Sequence, residues 1–180
     1  MPDEESLVLR AQQRDEAAFS QLYETYFDKI YRYVALKIGD RVEAEDITQQ
    51  VFLKALQSIS SFRWKGVPFS AWLFRIAHNQ LVDWLRKQGQ RTSVPIDDIP
   101  LTSDSDPQRA AELSLDIERL AVATRQLTRA QQEVISLRFA GELSVAEVAQ
   151  AMGKSPGAVK ALQHSAIANL RKRLITEVGA

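Results

Sequence analysis

Cysteine is absent from the 180 residues of this chain, and glycine is scarce, with seven residues. The absence of cysteine excludes disulfide bonds, thiolate metal sites and redox sensing by a thiol. His78 and His164 are the only histidines, and neither has the neighbours of a metal-binding motif, so we expect no metal or other cofactor. No apolar run reaches the roughly 18 residues of a membrane span, and the acidic N-terminus MPDEESLVLR is unlike a signal peptide. We therefore expect a cytoplasmic protein without membrane insertion.

The chain also lacks a net charge at pH 7, but its charges are unevenly distributed. Residues 63–91 contain six basic residues against Asp83 alone, and residues 154–174 contain five basic residues and no acid. Between them, residues 92–108 contain four aspartates and no base. Two segments of charge +5 on either side of a segment of charge −4 indicate two sites for a polyanion.

Apolar residues recur at helical spacing through most of the chain, and no stretch alternates long enough to predict a β-sheet. The spacing predicts helices within residues 19–34, 47–59 and 73–85. Residues 88–108 are rich in Pro, Ser and Asp and show no period, and helix is predicted to resume near Asp106-Pro107. We therefore expect an all-α protein with two small helical domains, residues 1–91 and 108–180, joined by a flexible acidic linker at residues 92–107.

The tripeptide Gly-Lys-Ser at 153–155 ends a phosphate-binding-loop signature, but Val148 stands where that signature requires glycine. The flanking residues predict a different structure. Ser144-x-x-Glu147 is a capping box that begins a helix, and Gly153 suits the left-handed residue that ends it. The serine of the tripeptide can cap the next helix, with Pro156 at its first position. The sequence therefore predicts a helix-turn-helix in the C-terminal domain.

The second helix of this motif has a buried stripe and a polar face. Lys160, Gln163 and His164 share the polar face near the N-terminus, as expected of a helix that reads base edges in a major groove. Ser155 and the amides around Gly157 can hold a phosphate, and Arg171 to Arg173 can reach the DNA backbone further along. A helical hairpin with a solvated basic face remains an alternative. The predicted buried stripe is Val159, Leu162, Ala166, Leu170 and Leu174.

Residues 61–88, SFRWKGVPFSAWLFRIAHNQLVDWLRKQ, crowd five aromatic residues around a Lys-Gly-Val-Pro turn that precedes a basic helix. On that helix Arg75, Asn79 and Arg86 lie within about 40° of one another. Aromatic rings interleaved with basic residues suit unstacked nucleotides, which need a surface to stack on and a charge for the backbone. Part of this set is expected to be core instead, and for Trp64 both roles stay open. The rings expected in the core are Phe69, Trp72 and Trp84, with Leu73 beside them.

Three motifs in this order resemble those of bacterial sigma factors. The pattern F-R…P-F-x-x-W-L-x-x-I-A-x-N…D-x-x-R, from Phe62 to Arg86, is similar to their promoter −10 region. Residues 44–55, AEDITQQVFLKA, are similar to their helix that docks on RNA polymerase. The pattern L-T-x-x-Q-x-E-V…S-x-x-E-V-A…G-x-V-K is similar to their −35-reading domain. With two domains and a short linker, the chain is identified as a member of the extracytoplasmic-function (ECF) group.

The resemblance implies a protein that binds core RNA polymerase through its β′ and β subunits, reads −35 and −10 promoter elements and assists melting. It implies an anti-sigma factor as a further partner and places the linker in the path of nascent RNA, although a solvated tether is an alternative. Residues implied to meet the β′ coiled coil are Asp46, Gln49, Gln50, Phe52 and Leu53, with Phe52 expected to be exposed. Residues implied to contact −10 DNA or line a pocket for a flipped base are Phe62, Arg63, Trp64, Lys65, Phe69, Arg75, Asn79, Asp83 and Arg86. Residues implied to face the −35 groove are Ser155, Gly157, Lys160, Ala161, Gln163 and His164, joined by Arg171 and Lys172 at the phosphates.

The sequence departs from the family pattern at two positions. Gln50 replaces a usual Glu in the docking helix, and Ser165 replaces a usual base in the recognition helix. The main alternative is a LuxR-like helix-turn-helix regulator, which has a similar C-terminal pattern but usually carries a sensor domain built with strands. Residues 1–88 predict no strands. An enzyme is not expected, because no nucleophile–base pair, metal cluster or phosphate loop is present.

Overall fold

This computed structural model describes residues 3–64, 67–91 and 119–178, and the regular structure within these ranges is entirely helical. The prediction of an all-α fold is confirmed. The N-terminal half contains α1 (Glu4–Gln12), α2 (Glu16–Ile38), α3 (Arg41–Ser58), a 3-10 turn (Ile59–Ser61) and α4 (Phe69–Arg91). In the C-terminal half residues 119–124 are helical, and they are followed by α5 (Arg129–Ile135), a π turn (Ser136–Ala140), α6 (Val145–Met152) and α7 (Pro156–Val178).

The N-terminal helices begin and end at residues suited to those positions. Asp15 caps α2 by accepting hydrogen bonds from the amides of Ala17 and Ala18. The helix ends at Gly39, whose φ of 71° is the left-handed conformation that glycine adopts without strain. Asp40 follows at once and caps α3 by accepting from the amide of Glu43. With only two residues between them, α2 and α3 run antiparallel and pack against each other.

Three helices supply most of the N-terminal core. Helix α1 packs on α2, and the side-chain amide of Gln12 donates to the carbonyls of Ile59 and Phe62, which ties the turn after α3 to the N-terminus. Apolar side chains of α2, α3 and α4 face one another at helical spacing. The fully buried members include Ile30 and Val34 of α2, Ile47 and Val51 of α3, and Leu73 and Leu81 of α4.

The predicted helix-turn-helix is confirmed. Ser144 and Glu147 form both hydrogen bonds of the capping box at the start of α6. Helix α6 ends at Gly153, with φ 65°. The hydroxyl of Ser155 accepts from the amide of Ala158 at 3.1 Å, and α7 begins at Pro156. Of the predicted stripe, Val159, Ala166 and Leu170 are buried and Leu162 is half-buried, while the side chain of Leu174 lies outside the described residues.

Helix α4 is longer than the sequence indicates. Residues 88–91 were expected to belong to the aperiodic stretch, yet they form the last turn of α4. Gly89 is exposed there, and none of the described residues packs within 4 Å of the position its Cβ would take. The linker at residues 92–107 and the helix start at Asp106-Pro107 lie outside the described residues.

The two halves share a continuous core. One cluster of buried apolar residues contains side chains of α2 and α4 together with Leu137 and Leu143 from the π turn and its following loop, and Val148 of α6. Helix α4 packs against α6, and α2 packs against the π turn. The helix-turn-helix therefore lies directly on the helix that is predicted to contact the −10 element.

Candidate functional site

One solvent-exposed face of helix α3 carries polar side chains together with an apolar one. Asp46, Gln49 and Gln50 are exposed, and Leu53 is 56% exposed, so four predicted residues line up at i, i+3, i+4 and i+7. Tyr23 of α2 donates to the side-chain oxygen of Gln49 at 3.4 Å. This arrangement is a continuous surface rather than scattered exposed positions.

Phe52 does not belong to that stripe, and the expectation that it is exposed is wrong. It is 4% exposed and its ring packs edge-on against Tyr23, with 4.8 Å between ring centroids. One residue corresponds to a rotation of about 100° around a helix, so Phe52 and Leu53 face different directions. Phe52 supports the surface from beneath.

The stripe on α3 is longer than the sequence resemblance implied. Val42 is 50% exposed and Leu56 is 51% exposed, and both lie on the same side of α3 as Asp46 and Leu53. Exposed large apolar side chains aligned on one helix face are typical of a surface that another protein covers. We define the α3 stripe as Val42, Asp46, Gln49, Gln50, Leu53 and Leu56.

The turn between α3 and α4 is built on buried rings. Phe62 and Phe69 are both buried and pack edge-to-face, with 5.7 Å between the ring centroids. They therefore support the turn from beneath instead of forming its surface. Trp64 is half-buried against Phe62, with 5.1 Å between the ring centroids. Its buried indole N–H has no hydrogen-bond partner among the described residues. Arg63 closes the turn by donating to the carbonyls of Ser60 and Phe62. Lys65 lies outside the described residues.

Helix α4 carries the remaining side chains predicted to contact −10 DNA on one exposed face. Arg75, Asn79, Asp83 and Arg86 are all exposed, and their successive spacings of four, four and three positions align them. The guanidinium of Arg75 donates to the backbone carbonyl of Gln150 in α6. The predicted −10 surface therefore lies beside the helix-turn-helix in this conformation.

Helix α7 exposes the side chains predicted to face the −35 groove near its N-terminus. Ser155, Gly157, Lys160, Ala161 and His164 are exposed, whereas Gln163 is half-buried. Two turns further on, Arg171 and Lys172 are exposed as well. A Cβ at Gly157 would meet nothing closer than the Ser155 hydroxyl at 4.0 Å, so the fold itself leaves room for a side chain there.

Two residues behind α7 orient its polar side chains. Arg138 of the π turn donates from Nε to the side-chain oxygen of Gln163 at 3.0 Å and from Nη1 to the carbonyl of Leu143 at 2.7 Å. Ser165, which departs from the family pattern, accepts from the Gln131 side chain at 3.0 Å and so faces α5. Arg138 was not predicted, because the sequence gives no sign that a residue 25 positions away contacts Gln163.

A largely buried polar cluster lies where α2, α4 and α5 meet, with the His78 side chain half exposed at its edge. Glu133 accepts a hydrogen bond from Tyr33 at 2.6 Å and another from Lys37, and its carboxylate is 3.6 Å from Nδ1 of His78. Burial lowers the pKa of Lys37 to about 8 and raises the pKa of Tyr33 above its usual range. Burial also lowers the pKa of His78, and the Lys37 charge lowers it further. The sequence analysis assigned no role to these residues, which we call the Glu133 cluster.

The described part of the chain contains no group of three or more His, Cys, Asp or Glu residues that could hold a metal ion. Within the same ranges, every helix is too short or too polar to cross a membrane.

Comparisons with known proteins match both halves of the chain. Residues 22–91 match the family model for Sigma-70 region 2, and residues 124–172 match that for Sigma-70, region 4. The chain is 39% identical over 170 residues to the ECF RNA polymerase sigma factor BldN of Streptomyces coelicolor, with 93% of this chain and 64% of BldN covered. It is 33% identical over 177 residues to the ECF sigma factor ShbA of Streptomyces griseus, with 92% of each chain covered. The structure of CnrH in complex with the cytosolic domain of CnrY is similar, with a TM-score of 0.74 and 25% identity, covering 94% of this chain and 96% of CnrH.

An all-helical region 2 followed by a helix-turn-helix region 4 defines a transcription initiation factor of the sigma-70 class. The chain belongs to the ECF RNA polymerase sigma factor family. The LuxR-like alternative is not favoured, because residues 22–91 match sigma region 2 and not a sensor domain. Proteins of this family direct RNA polymerase to promoters and are DNA-binding initiation factors rather than enzymes.

Proposed function

We propose that this sigma factor binds the β′ subunit of core RNA polymerase through the α3 stripe. The observation that carries the proposal is the alignment of three exposed apolar residues, Val42, Leu53 and Leu56, with the polar side chains of the same helix face. Covering exposed leucine and valine with another protein is favourable because it removes apolar surface from water, and the polar side chains fix the register of the contact. Such a surface predicts binding to polymerase in the absence of DNA.

The same proposal assigns −10 recognition to α4 and the turn before it. The stripe of Arg75, Asn79 and Arg86 combines positive charge with an amide that can pair with a base edge. Trp64 adds a partly exposed ring on which a base can stack, while its indole N–H is buried. Capture of single unstacked bases by this set favours the melted form of the promoter over the duplex.

Helix α7 is proposed to read the −35 element in the major groove. Lys160 and His164 project from its first turns, and Gln163 lies between them with its side-chain oxygen held by Arg138. Arg171 and Lys172 lie two turns away, where contacts to phosphate fix orientation without reading sequence. Acting on promoters, the protein works in the cytoplasm.

The proposal is tested by adding the purified chain to core polymerase without DNA and measuring complex formation by fluorescence anisotropy or gel filtration. Run-off transcription from a promoter library then shows whether the complex starts at defined −35/−10 pairs. A sigma factor gives both results. A chain that binds duplex DNA alone and ignores core polymerase contradicts the proposal.

A protein inhibitor of the anti-sigma kind is proposed as a further partner. The support is the similarity to CnrH over both halves of the chain, since CnrH was captured with the cytosolic domain of CnrY. An inhibitor of this kind is expected to lower run-off transcription in proportion to its concentration, and excess core polymerase is expected to restore it. Inhibition that excess polymerase cannot relieve contradicts competition for the sigma factor.

A further inference from the structure

A cleft of about 890 Å³ lies between the end of α2, the second half of α4 and the residues that lead into α5. A concave site of this volume can bury a small molecule. The described residues that line it come from none of the surfaces assigned above to polymerase or to the −35 element. Among them, Arg86 alone belongs to the predicted −10 surface. The cleft is therefore a distinct feature that needs its own explanation.

The charge of the cleft is mainly basic. Arg86 comes from α4, Arg129 begins α5, and Arg125 lies in the turn before it. All three are exposed, and none forms a side-chain hydrogen bond or ion pair with another described residue. The single acid among the described lining residues, Glu133, is already paired with Lys37. Three guanidinium groups thus remain for a ligand, and their charge selects an anion.

The three guanidinium groups favour phosphate over a simple carboxylate. Each can donate two parallel hydrogen bonds to a pair of anionic oxygens. A carboxylate has only two oxygens and one charge, so one arginine satisfies it. A phosphate offers three terminal oxygens and nearly two charges, and a diphosphate offers more of both. Arginines that approach from α4 and from α5 therefore match a phosphorylated ligand.

The cleft also has an apolar wall. Leu81 and Ile38 are buried in it, and Val82 and Leu85 are half-buried. An inorganic anion gains nothing from such a wall, whereas a ring attached to the phosphate loses apolar surface to water when it packs there. The wall therefore favours an organic phosphate over a free ion.

Gln132 adds a hydrogen-bond acceptor to the same cleft. Its side-chain nitrogen donates to the carbonyl of Thr124 at 2.7 Å, which fixes the orientation of the amide. The side-chain oxygen has no hydrogen-bond partner among the described residues and is left to accept. An amino group on a heterocyclic ring is the complementary donor.

We propose that this cleft binds a small phosphorylated heterocycle of the nucleoside diphosphate class. Arg86, Arg125 and Arg129 hold the phosphates, and the apolar wall and Gln132 hold the ring. An occupied cleft engages Arg86, which is then withheld from −10 DNA. That consequence rests on the proposed function, whereas the binding is a property of the chain alone.

The binding is tested by calorimetric titration of the full chain with ADP, GDP, pyrophosphate and adenosine, without polymerase or DNA. At least one of the two diphosphates is expected to bind with one molecule per chain. Pyrophosphate and adenosine are expected to bind more weakly, because each supplies only one part of the ligand. Absence of binding by both ADP and GDP overturns the proposal. Pyrophosphate that binds as tightly as either nucleotide overturns the role of the apolar wall and of Gln132.

Matched double variants separate the site from general attraction to a basic surface. Arg125→Ala with Arg129→Ala is expected to weaken nucleotide binding at least about tenfold. Arg14→Ala with Lys54→Ala removes the same charge from exposed positions outside the cleft and is expected to leave the affinity unchanged. Equal weakening by both pairs overturns the proposal. If the first pair does not fold, Val82→Asp places an acid on the wall and is expected to weaken binding similarly.

A further measurement distinguishes failure of this site from failure of the proposed function. Permanganate footprinting of open complex needs no added nucleotide, so ADP or GDP can be titrated into it. The nucleotide is expected to reduce open complex made with the wild type, but not that made with Arg125→Ala and Arg129→Ala. An equal reduction with both proteins arises from the polymerase and overturns the consequence for Arg86. A chain that binds the nucleotide yet forms no open complex in its absence overturns the proposed function instead.

Discussion

Arg138 holds the side-chain oxygen of Gln163 at 3.0 Å, and this contact determines which atoms of Gln163 remain for DNA. Arginine has no acceptor, so the atom facing its Nε must be the oxygen, and the NH₂ group of Gln163 is left to donate. A donor pointing into the major groove selects base edges with acceptors, such as N7 and O6 of guanine. Arg138 is therefore a positioning residue for the proposed −35 contact.

The first prediction is that Arg138→Lys and Gln163→Ala weaken the base preference at the same position of the −35 element. Gln163→Ala removes the donor and is expected to relax the preference at that base. Arg138→Lys keeps the charge but frees the amide to turn over, so the preference at that base is expected to weaken without loss elsewhere. Selection from a randomised −35 library measures both, with thermal unfolding to confirm that Arg138→Lys is folded. Relaxation at different positions, or at none, contradicts the positioning role.

The second prediction concerns the α3 stripe. Leu53→Asp is expected to weaken binding to core polymerase at least about tenfold, or about 1.4 kcal/mol, because it puts a charge into an apolar contact. Asp46→Ala with Gln49→Ala is expected to weaken binding as well while leaving the helical fold intact. Leu9→Asp is the matched control, since Leu9 is an exposed leucine of α1, 48% exposed and outside the stripe. Equal affinity of Leu53→Asp and Leu9→Asp for core polymerase contradicts this assignment.

The local structure of the helix-turn-helix could be read from the sequence because each signal acts over a few residues. The Ser144–Glu147 box, the left-handed Gly153 and the Pro156 start all depend on neighbours within one or two turns. The same kind of reasoning was wrong for Phe52, where a shift of a single position decides between core and solvent.

The contact between the halves could not be predicted in this way. Tyr33 and Glu133 are 100 residues apart, and neither stands in a motif that marks it as a partner of the other. Phe74 and Gly141 each have an ordinary local role, in a helix and in a loop, and only the assembled fold shows that a ring lies against a bare backbone. Buried partners of this kind depend on tertiary packing, on which periodicity carries no information.

The third prediction tests Asn79 in promoter melting. Asn79 is exposed, so Asn79→Ala is expected to leave stability nearly unchanged. If Asn79 contacts an unstacked base, the variant forms closed complex normally but less permanganate-reactive open complex. The defect is expected to shrink on a template already mismatched at −10, because the two DNA strands are already separated there. An open complex that forms as readily as in the wild type on a natural promoter contradicts the assignment.

The fourth prediction follows from the environment of His78. Burial and Lys37 lower its pKa below the ordinary 6.5, and they outweigh the attraction of the Glu133 carboxylate and the contact with the Tyr33 hydroxyl. The folded protein therefore binds this proton less tightly than the unfolded chain, so stability is expected to fall as the pH drops below 6.5. Thermal unfolding of wild type and His78→Gln between about pH 7.5 and 5.5 measures the difference, and the variant is expected to lose less. If the stability of the wild type and of His78→Gln changes equally over this pH range, His78 is not the group responsible.

The last prediction separates base reading from phosphate binding along α7. Lys160→Ala and His164→Ala are expected to change which −35 bases are accepted, because both side chains project from the first turns of the recognition helix. Arg171→Ala is expected to lower affinity for every sequence alike and to reduce the slope of log affinity against log salt by about one. Gly157→Ala has room in the fold, so any loss that it causes arises where the backbone approaches DNA. Library selection and salt titration with each holoenzyme distinguish these effects. Identical −35 preferences for wild type, Lys160→Ala and His164→Ala would reduce α7 to a phosphate clamp.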